Sequence, residues 1–364
     1  MIRVLVADDS RAFRAILRTI LARSPEIEVV GEAADGHEAV SQVLALRPDV
    51  VTMDVRMPGK DGLEAIDEIM HRRPTPVVVV SAEAGPEKQE VSFRALELGA
   101  VEVLAKPRAD APGRFEREAE EIRMAVRAVA GLKLVTRHRR HEVKGERPEP
   151  RRAEVRRPPP LPPQGPGPAV VPGSAPKVIA IAASTGGPAA LAKILSELPA
   201  GFPIPILAVQ HIAEGFEGGL VHWLSGESEI KVKIAEQGEP LRPATFYIAP
   251  SGSHLGATGG AVQLLGGDPV RGFRPSGTVL FRALAGEYGG NAAGLVLSGM
   301  GDDGAEGLKL LRERGAWTAA QGPQSSVVYG MPRVALEKGA AALTLELDEI
   351  AGALVKLARG TAQA

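Results

Sequence analysis

Short apolar runs that stop abruptly at a polar residue recur along the chain, and helical patterns fill the gaps between them. Ile2, Val4, Leu5, Val6 and Ala7 form the first run, which ends at Asp8, Asp9 and Ser10. Val29 and Val30, then 49–53, 77–80 and 101–105 repeat the pattern; the last three end at Asp54, Ser81 and Lys106. Runs that are apolar at consecutive positions predict strands buried on both faces. Between them, Phe13, Ile16, Leu17, Ile20 and Leu21 fall on one face of a helix that Ser10 can cap, and 39–46 and 63–71 read the same way. Five strands alternating with helices predict a parallel, doubly wound sheet.

The pattern restarts at Lys177. Val178 to Ala182 is a buried strand, followed by Ser184, Thr185, Gly186, Gly187 and Pro188 and then by Leu191, Ile194, Leu195 and Leu198 at helical spacing. The glycines allow a tight turn and Pro188 suits a first helical turn. Ser184 therefore sits between a strand end and a helix N-terminus, where free N–H groups favour an anion. That is a place for a nucleophile, and equally for a simple helix cap. Further strands are predicted at 204–209, 245–249, 294–298, 317–320 and 341–345, with a hairpin around 262–265 and helices at 305–314 and 331–338. This is a second doubly wound α/β domain.

Between the two domains the pattern disappears. Residues 132–176 hold eleven prolines and ten Lys/Arg against four Asp/Glu. Such a segment buries no core and reads as a semi-rigid tether; its basic half, 137–157, is either a solvated stretch or a contact for an acidic partner or anionic lipid. The expected division is 1–125, a linker at 126–176, and 177–364. A net charge of −1 gives no general argument for nucleic acid or membrane binding, and the lack of cysteine excludes thiolate chemistry. No signal peptide or membrane-length apolar run is seen, so a cytoplasmic protein without membrane insertion is expected.

In a parallel sheet, ligands gather at the carboxyl ends of the strands. Those ends carry Asp8, Asp9, Asp54, Ser81 and Lys106 in the first domain. Three carboxylates brought together call for a hard divalent cation, and oxygen-only ligation suits Mg²⁺. Asp54 would then accept a phosphoryl group, with Lys106 neutralising charge and Ser81 donating a hydrogen bond. These residues, with D-V-R-M-P-G-K-D-G at 54–62 and Lys106–Pro107, resemble the flavodoxin-like receiver domain of two-component response regulators. The resemblance implies phosphorylation of Asp54 by a histidine kinase. Val103 stands where receivers often carry an aromatic switch residue.

In the second domain Ser184, His211 and Asp302 or Asp303 all follow strand ends, an arrangement a serine nucleophile needs. His254 is a rival base, and spacing does not separate the two aspartates. His222, beside Trp223, reads as a packing residue. The motifs A-S-T-G-G-P (183–188), Q-H (210–211), Y-I-A-P (247–250), R-P-S (274–276), L-S-G-M-G-D-D-G-A-E-G (297–307) and S-V-V-Y-G-M-P (326–332) resemble the Rossmann-like catalytic domain of chemotaxis protein-glutamate methylesterases. The resemblance implies Ser184 as nucleophile, His211 as base and Asp303 as the acid. It further implies that Thr185 positions His211 and that the Met300 N–H helps hold an oxyanion. It departs at Gly277–Thr278, where family members often carry an acidic residue, and no role is assigned there. The expected substrate is a γ-methyl glutamyl ester on a chemoreceptor, with glutamine deamidation by the same path and no metal for that step. Two other functions fit parts of the pattern. One is a phosphorylation-dependent docking protein. The other is a nucleotide-binding domain, against which the missing Walker lysine argues.

Overall fold

The computed structural model describes residues 1–82, 86–110, 112–132 and 175–360, with the backbone alone at 86–90. Nearly all of the predicted tether, including its basic half, lies outside the described residues. The N-terminal domain runs β1 (Ile2–Ala7), α1 (Arg11–Ala22), β2 (Ile27–Ala33), α2 (Gly36–Leu46), β3 (Val50–Met53), α3 (Gly62–Arg72), β4 (Val77–Ser81), α4 (Pro86–Glu97), β5 (Glu102–Ala105) and α5 (Arg114–Val129). Its strands pair in parallel in the order β2-β1-β3-β4-β5. Along β1, Val4 and Val6 pack towards α1 and α5, while Leu5 and Ala7 join the core beneath α2 and α3. A strand covered on both faces by helices must be apolar at every position, which is why the runs show no alternation. The expected boundary at 125/126 falls inside α5, which continues to Val129.

The C-terminal domain runs β6 (Val178–Ala183), α6 (Gly187–Glu197), β7 (Ile206–Gln210), α7 (Glu217–Glu227), β8 (Lys231–Ile234), β9 (Thr245–Ile248), β10 (His254–Thr258), β11 (Ala261–Leu265), α8 (Gly277–Glu287), β12 (Ala292–Val296), α9 (Ala305–Glu313), β13 (Trp317–Gln321), α10 (Met331–Glu337), β14 (Leu343–Leu345) and α11 (Leu347–Ala358). Seven of these strands form a parallel sheet in the order β14-β13-β12-β6-β7-β9-β8, and β10 and β11 form the antiparallel hairpin. The chain starts at the centre with β6, builds outward through β7 to β9 and β8, then returns to the other side of β6 with β12. The sheet order therefore reverses at β6, and the loops after β6 and β12 part to leave a crevice at their carboxyl ends. Ile179, Ile181 and Ala183 of β6 face the core under α6, α7 and α11; Val178, Ala180 and Ala182 face α8, α9 and α10. Elements not predicted from the sequence include α5, α11, β8, an edge strand reading K-V-K-I, and α8, which begins at the unassigned Gly277–Thr278.

Candidate active site

β6 delivers Ser184 into the crevice. Ser184 N–H donates to the Ser298 carbonyl at 3.0 Å, and its own carbonyl accepts from Gly187 N–H and from Gln210 Nε2 at 2.9 Å. Gly186, at φ 75°, turns the chain into α6 as its N-cap. A side chain is strained at that angle, so the strand-to-helix turn depends on glycine. Gly299, in the loop after β12, permits a second close approach: a Cβ there would lie 2.7 Å from Ser184 Cβ and 2.4 Å from Met331 Sδ. This lets the Gly299 backbone lie against the serine, and the next residue, Met300, lines the same cavity as Ser184 and His211.

β7 ends at Gln210, so His211 enters the crevice from the adjacent strand. Its Nε2 meets Asp303 Oδ2 at 2.9 Å, and its Nδ1 is buried without a protein hydrogen-bond partner. Asp303 accepts, so Nε2 carries the proton and Nδ1 keeps its lone pair free for a hydroxyl. Phe273 stacks on the imidazole with ring centroids 3.8 Å apart and planes within 4°, fixing the ring plane. Asp303 is 2% exposed and also accepts from Ser276 Oγ (2.7 Å), Gly277 N–H (2.7 Å) and Thr278 N–H (3.1 Å). Burial pushes its carboxyl up, but the hydrogen bonds from His211, Ser276 and Thr278 outweigh burial and hold it well below the usual carboxylate range.

The rivals separate cleanly. Asp302 is paired at the surface with Arg271, which also reaches Glu306 at 2.9 Å. His254 has both ring nitrogens occupied, Nδ1 by Ser276 N–H at 3.2 Å and Nε2 by the Asp268 carbonyl at 3.1 Å. His222 is exposed on α7, contrary to the packing role expected of it; the residue buried there is its neighbour Trp223. Thr185, expected to help position His211, directs its hydroxyl to Glu102 of the N-terminal domain. Phe273, Ser276 and Thr278 were missed by sequence reasoning. The R-P-S motif was the one signal that pointed at Ser276.

At the carboxyl ends of β1 and β3, Asp8, Asp9 and Asp54 bring carboxylate oxygens within 4.8 Å of one another. Lys106 Nζ lies 2.6 Å from Asp8 and 2.7 Å from Asp54, and 4.6 Å from the Phe13 ring centroid. Burial raises the Asp54 carboxyl against the pull of Lys106. Ser81 closes β4 beside them and is 1% exposed. An oxygen-only set of this size fits a hard cation such as Mg²⁺.

The two domains meet at the crevice. Phe93 of α4 stacks on Trp223 of α7 at 5.9 Å, and Trp223 Nε1 donates to Glu97 at 2.7 Å. Arg108 donates to the Glu214 carbonyl at 3.4 Å, and Arg114 lies 3.7 Å from the Glu214 carboxylate. At the centre Gly186 N–H donates to Glu102 Oε2 at 3.3 Å, two residues from Ser184. The cavity holding Ser184 and His211, about 320 Å³, is walled on one side by Glu102, Arg117, Glu118 and Glu121 of the N-terminal domain.

Comparison with known proteins agrees with this layout. Residues 179–354 match the CheB methylesterase family model and 4–112 the response regulator receiver domain model. Protein-glutamate methylesterase/protein-glutamine glutaminase 4 of Myxococcus xanthus is 45% identical over 99% of this chain and 98% of its own. Its namesake in Geobacter metallireducens is 44% identical over 98% of this chain and 99% of its own. Among solved structures, the Thermotoga maritima CheB methylesterase catalytic domain is 36% identical over 50% of this chain and 98% of its own, with a TM-score of 0.49. Receiver domain, crevice serine and full-length relatives converge: the chain belongs to the protein-glutamate methylesterase/protein-glutamine glutaminase family of response regulators.

Proposed function

We propose that this chain hydrolyses γ-methyl esters of glutamyl residues on chemoreceptors, with Ser184 as nucleophile, His211 as base and Asp303 as its partner. The observation that carries the reading is the His211 ring, held by Asp303 at Nε2 and stacked on Phe273, with a free Nδ1 in the cavity that Ser184 lines. Nδ1 takes the Ser184 proton as Oγ attacks the ester carbonyl. The Met300 N–H, brought close by Gly299, is suited to the oxyanion. His211 returns the proton to the departing methanol. Water, activated by the same imidazole, then releases the γ-carboxylate and restores Ser184. A glutamine side chain follows the same path with ammonia leaving. Apo hydrogen bonds of this kind tighten when substrate arrives.

Control is assigned to the receiver. Asp8, Asp9 and Asp54 would hold Mg²⁺, which supplies neutralisation of phosphoryl oxygens during transfer from a histidine kinase. The Asp54 carboxylate accepts the phosphoryl group, Lys106 pairs with the added charge, and the Ser81 hydroxyl donates to it. With the receiver docked as described, Glu102 and α5 narrow access to Ser184, and phosphorylation shifts the docking equilibrium. The reading fits a protein acting at the cytoplasmic face; no helix among the described residues is long and apolar enough to cross a membrane. The test is methanol release from methylated receptor, with and without a small phosphodonor. The wild type is expected to release methanol and to be stimulated; Asp54→Asn is expected to keep the basal rate and lose stimulation. No methanol from the folded wild type overturns the reading.

A further inference from the structure

Ser276 occupies the N-cap of α8, yet its side chain caps nothing in its own helix. An N-cap serine ordinarily accepts from the second or third N–H of its helix. Here the hydroxyl donates outward to Asp303 Oδ1 at 2.7 Å, and the Asp303 carboxylate takes the N–H groups of Gly277 and Thr278 in its place. Three of the four donors on Asp303 therefore come from one helical turn, whose positive dipole end favours an ionised carboxylate. Thr278 Oγ in return accepts from Gly304 N–H at 2.8 Å, fastening the residue after Asp303 to the same turn. Behind it, His254 is 2% exposed and accepts the Ser276 N–H at Nδ1, while its Nε2–H donates to the Asp268 carbonyl. A buried histidine with both nitrogens spent is placed where it ties Ser276 to the Asp268 carbonyl.

We infer that Ser276 is a positioning residue for the proton-transfer step and that His254 holds it there. Ser276 acts through Asp303: its hydroxyl drains charge from the carboxylate and fixes the plane in which Oδ2 faces His211. Without it the carboxylate becomes the more basic partner, the imidazolium of His211 is stabilised, and more acid is present at a given pH. The inference rests on the ester-hydrolase reading given above.

The test measures kcat, KM and the pH dependence of kcat/KM for methanol release by the full chain. Ser276→Ala is expected to lower kcat about tenfold, since the lost hydrogen bond is to a charged group. KM is expected to stay within about twofold of wild type. The acid limb of the pH profile moves to higher pH. Ser276→Thr keeps the hydroxyl and restores the limb. His254→Asn keeps an acceptor where Nδ1 stood and stays near wild type, whereas His254→Leu removes it and follows Ser276→Ala. An unmoved acid limb in Ser276→Ala, whatever happens to kcat, reduces Ser276 to packing and overturns the inference. So does a His254→Leu protein that matches His254→Asn. If Ser276→Ala does not fold, the His254 pair decides. Absence of methanol from the wild type would instead count against the ester-hydrolase reading.

Discussion

Asp54 and Asp303 are both nearly buried carboxylates at the switch point of a parallel sheet, but they are neutralised differently. Asp54 has a lysine 2.7 Å away and two further carboxylates beside it. Asp303 is held by His211, a hydroxyl and two N–H groups from the start of a helix. On the proposed reading the first arrangement tolerates a change of charge, because the Lys106 ammonium that pairs with Asp8 and Asp54 is in place to meet an arriving phosphoryl group. The second resists one, because His211, the Ser276 hydroxyl and the N–H groups at the helix start hold the carboxylate ionised against burial. On the proposed reading, signalling and catalysis use the same location in the fold with opposite electrostatic designs.

The sharpest way to break this comparison is to remove one member of each rival pair. Ser184→Ala and His211→Ala are expected to lower kcat for methanol release by about 10³-fold or more, as for other serine triads. Asp303→Asn should fall somewhat less far, placing an NH₂ group among donors. Asp302→Asn, whose partner is the surface Arg271, should change the rate by less than about threefold, because such pairs contribute little. Equal losses in Asp302→Asn and Asp303→Asn would remove the contrast between a fixed buried carboxylate and a surface one.

The next effect concerns backbone approach. Gly299→Ala would press a methyl group against Ser184 Cβ and Met331 Sδ. The expectation is a loss of about 1–3 kcal/mol in unfolding free energy, as for other overpacked sites, together with a lower kcat. Chemical denaturation and the methanol assay check both. Normal activity and stability would mean that the serine turn has slack that the close contact denies.

The receiver pocket was almost wholly legible in the sequence because each of its residues stands at the end of an apolar run, where the strand pattern itself locates it. Ser184 and His211 were legible for the same reason. Asp303 was not separable from Asp302 by spacing, because burial decides between them and burial depends on where α8 lands. The Gly277–Thr278 departure hid its meaning: those residues act through backbone N–H groups, which carry no residue signature. Phe273 was hidden because a stacked ring in a loop has no period. The edge strand β8 was missed because its two lysines, Lys231 exposed and Lys233 half-buried, interrupt the apolar pattern.

The smallest expected effect tests whether the two pockets communicate through Glu102. Burial at the domain interface pushes its carboxyl up to about 7, partly offset by Val103 N–H, the Thr185 hydroxyl and Gly186 N–H. Burial and the neighbouring Glu118 likewise push Glu121 up to about 7. Glu118, Glu121 and Arg117 face this cavity from α5, and His211, Glu214 and Arg274 face it from the catalytic domain. If the receiver swings away as proposed, Glu102 returns to water and to the ordinary carboxylate range. The docked state therefore binds more protons, so docking is favoured at low pH and weakens as pH rises to about 7, with no further loss above that. The basal rate without phosphodonor should rise over this window by more than the rate of Glu102→Gln, which is neutral throughout. The ratio of the two rates cancels the pH dependence of everything they share. It is expected to increase about threefold between pH 5.5 and 7.5 and then level, a fraction of what a shift of this size allows when docking is incomplete. A flat ratio would mean that the receiver leaves the site without carrying the Glu102 proton balance with it, and that the contact with Gly186 does not hold the docked state.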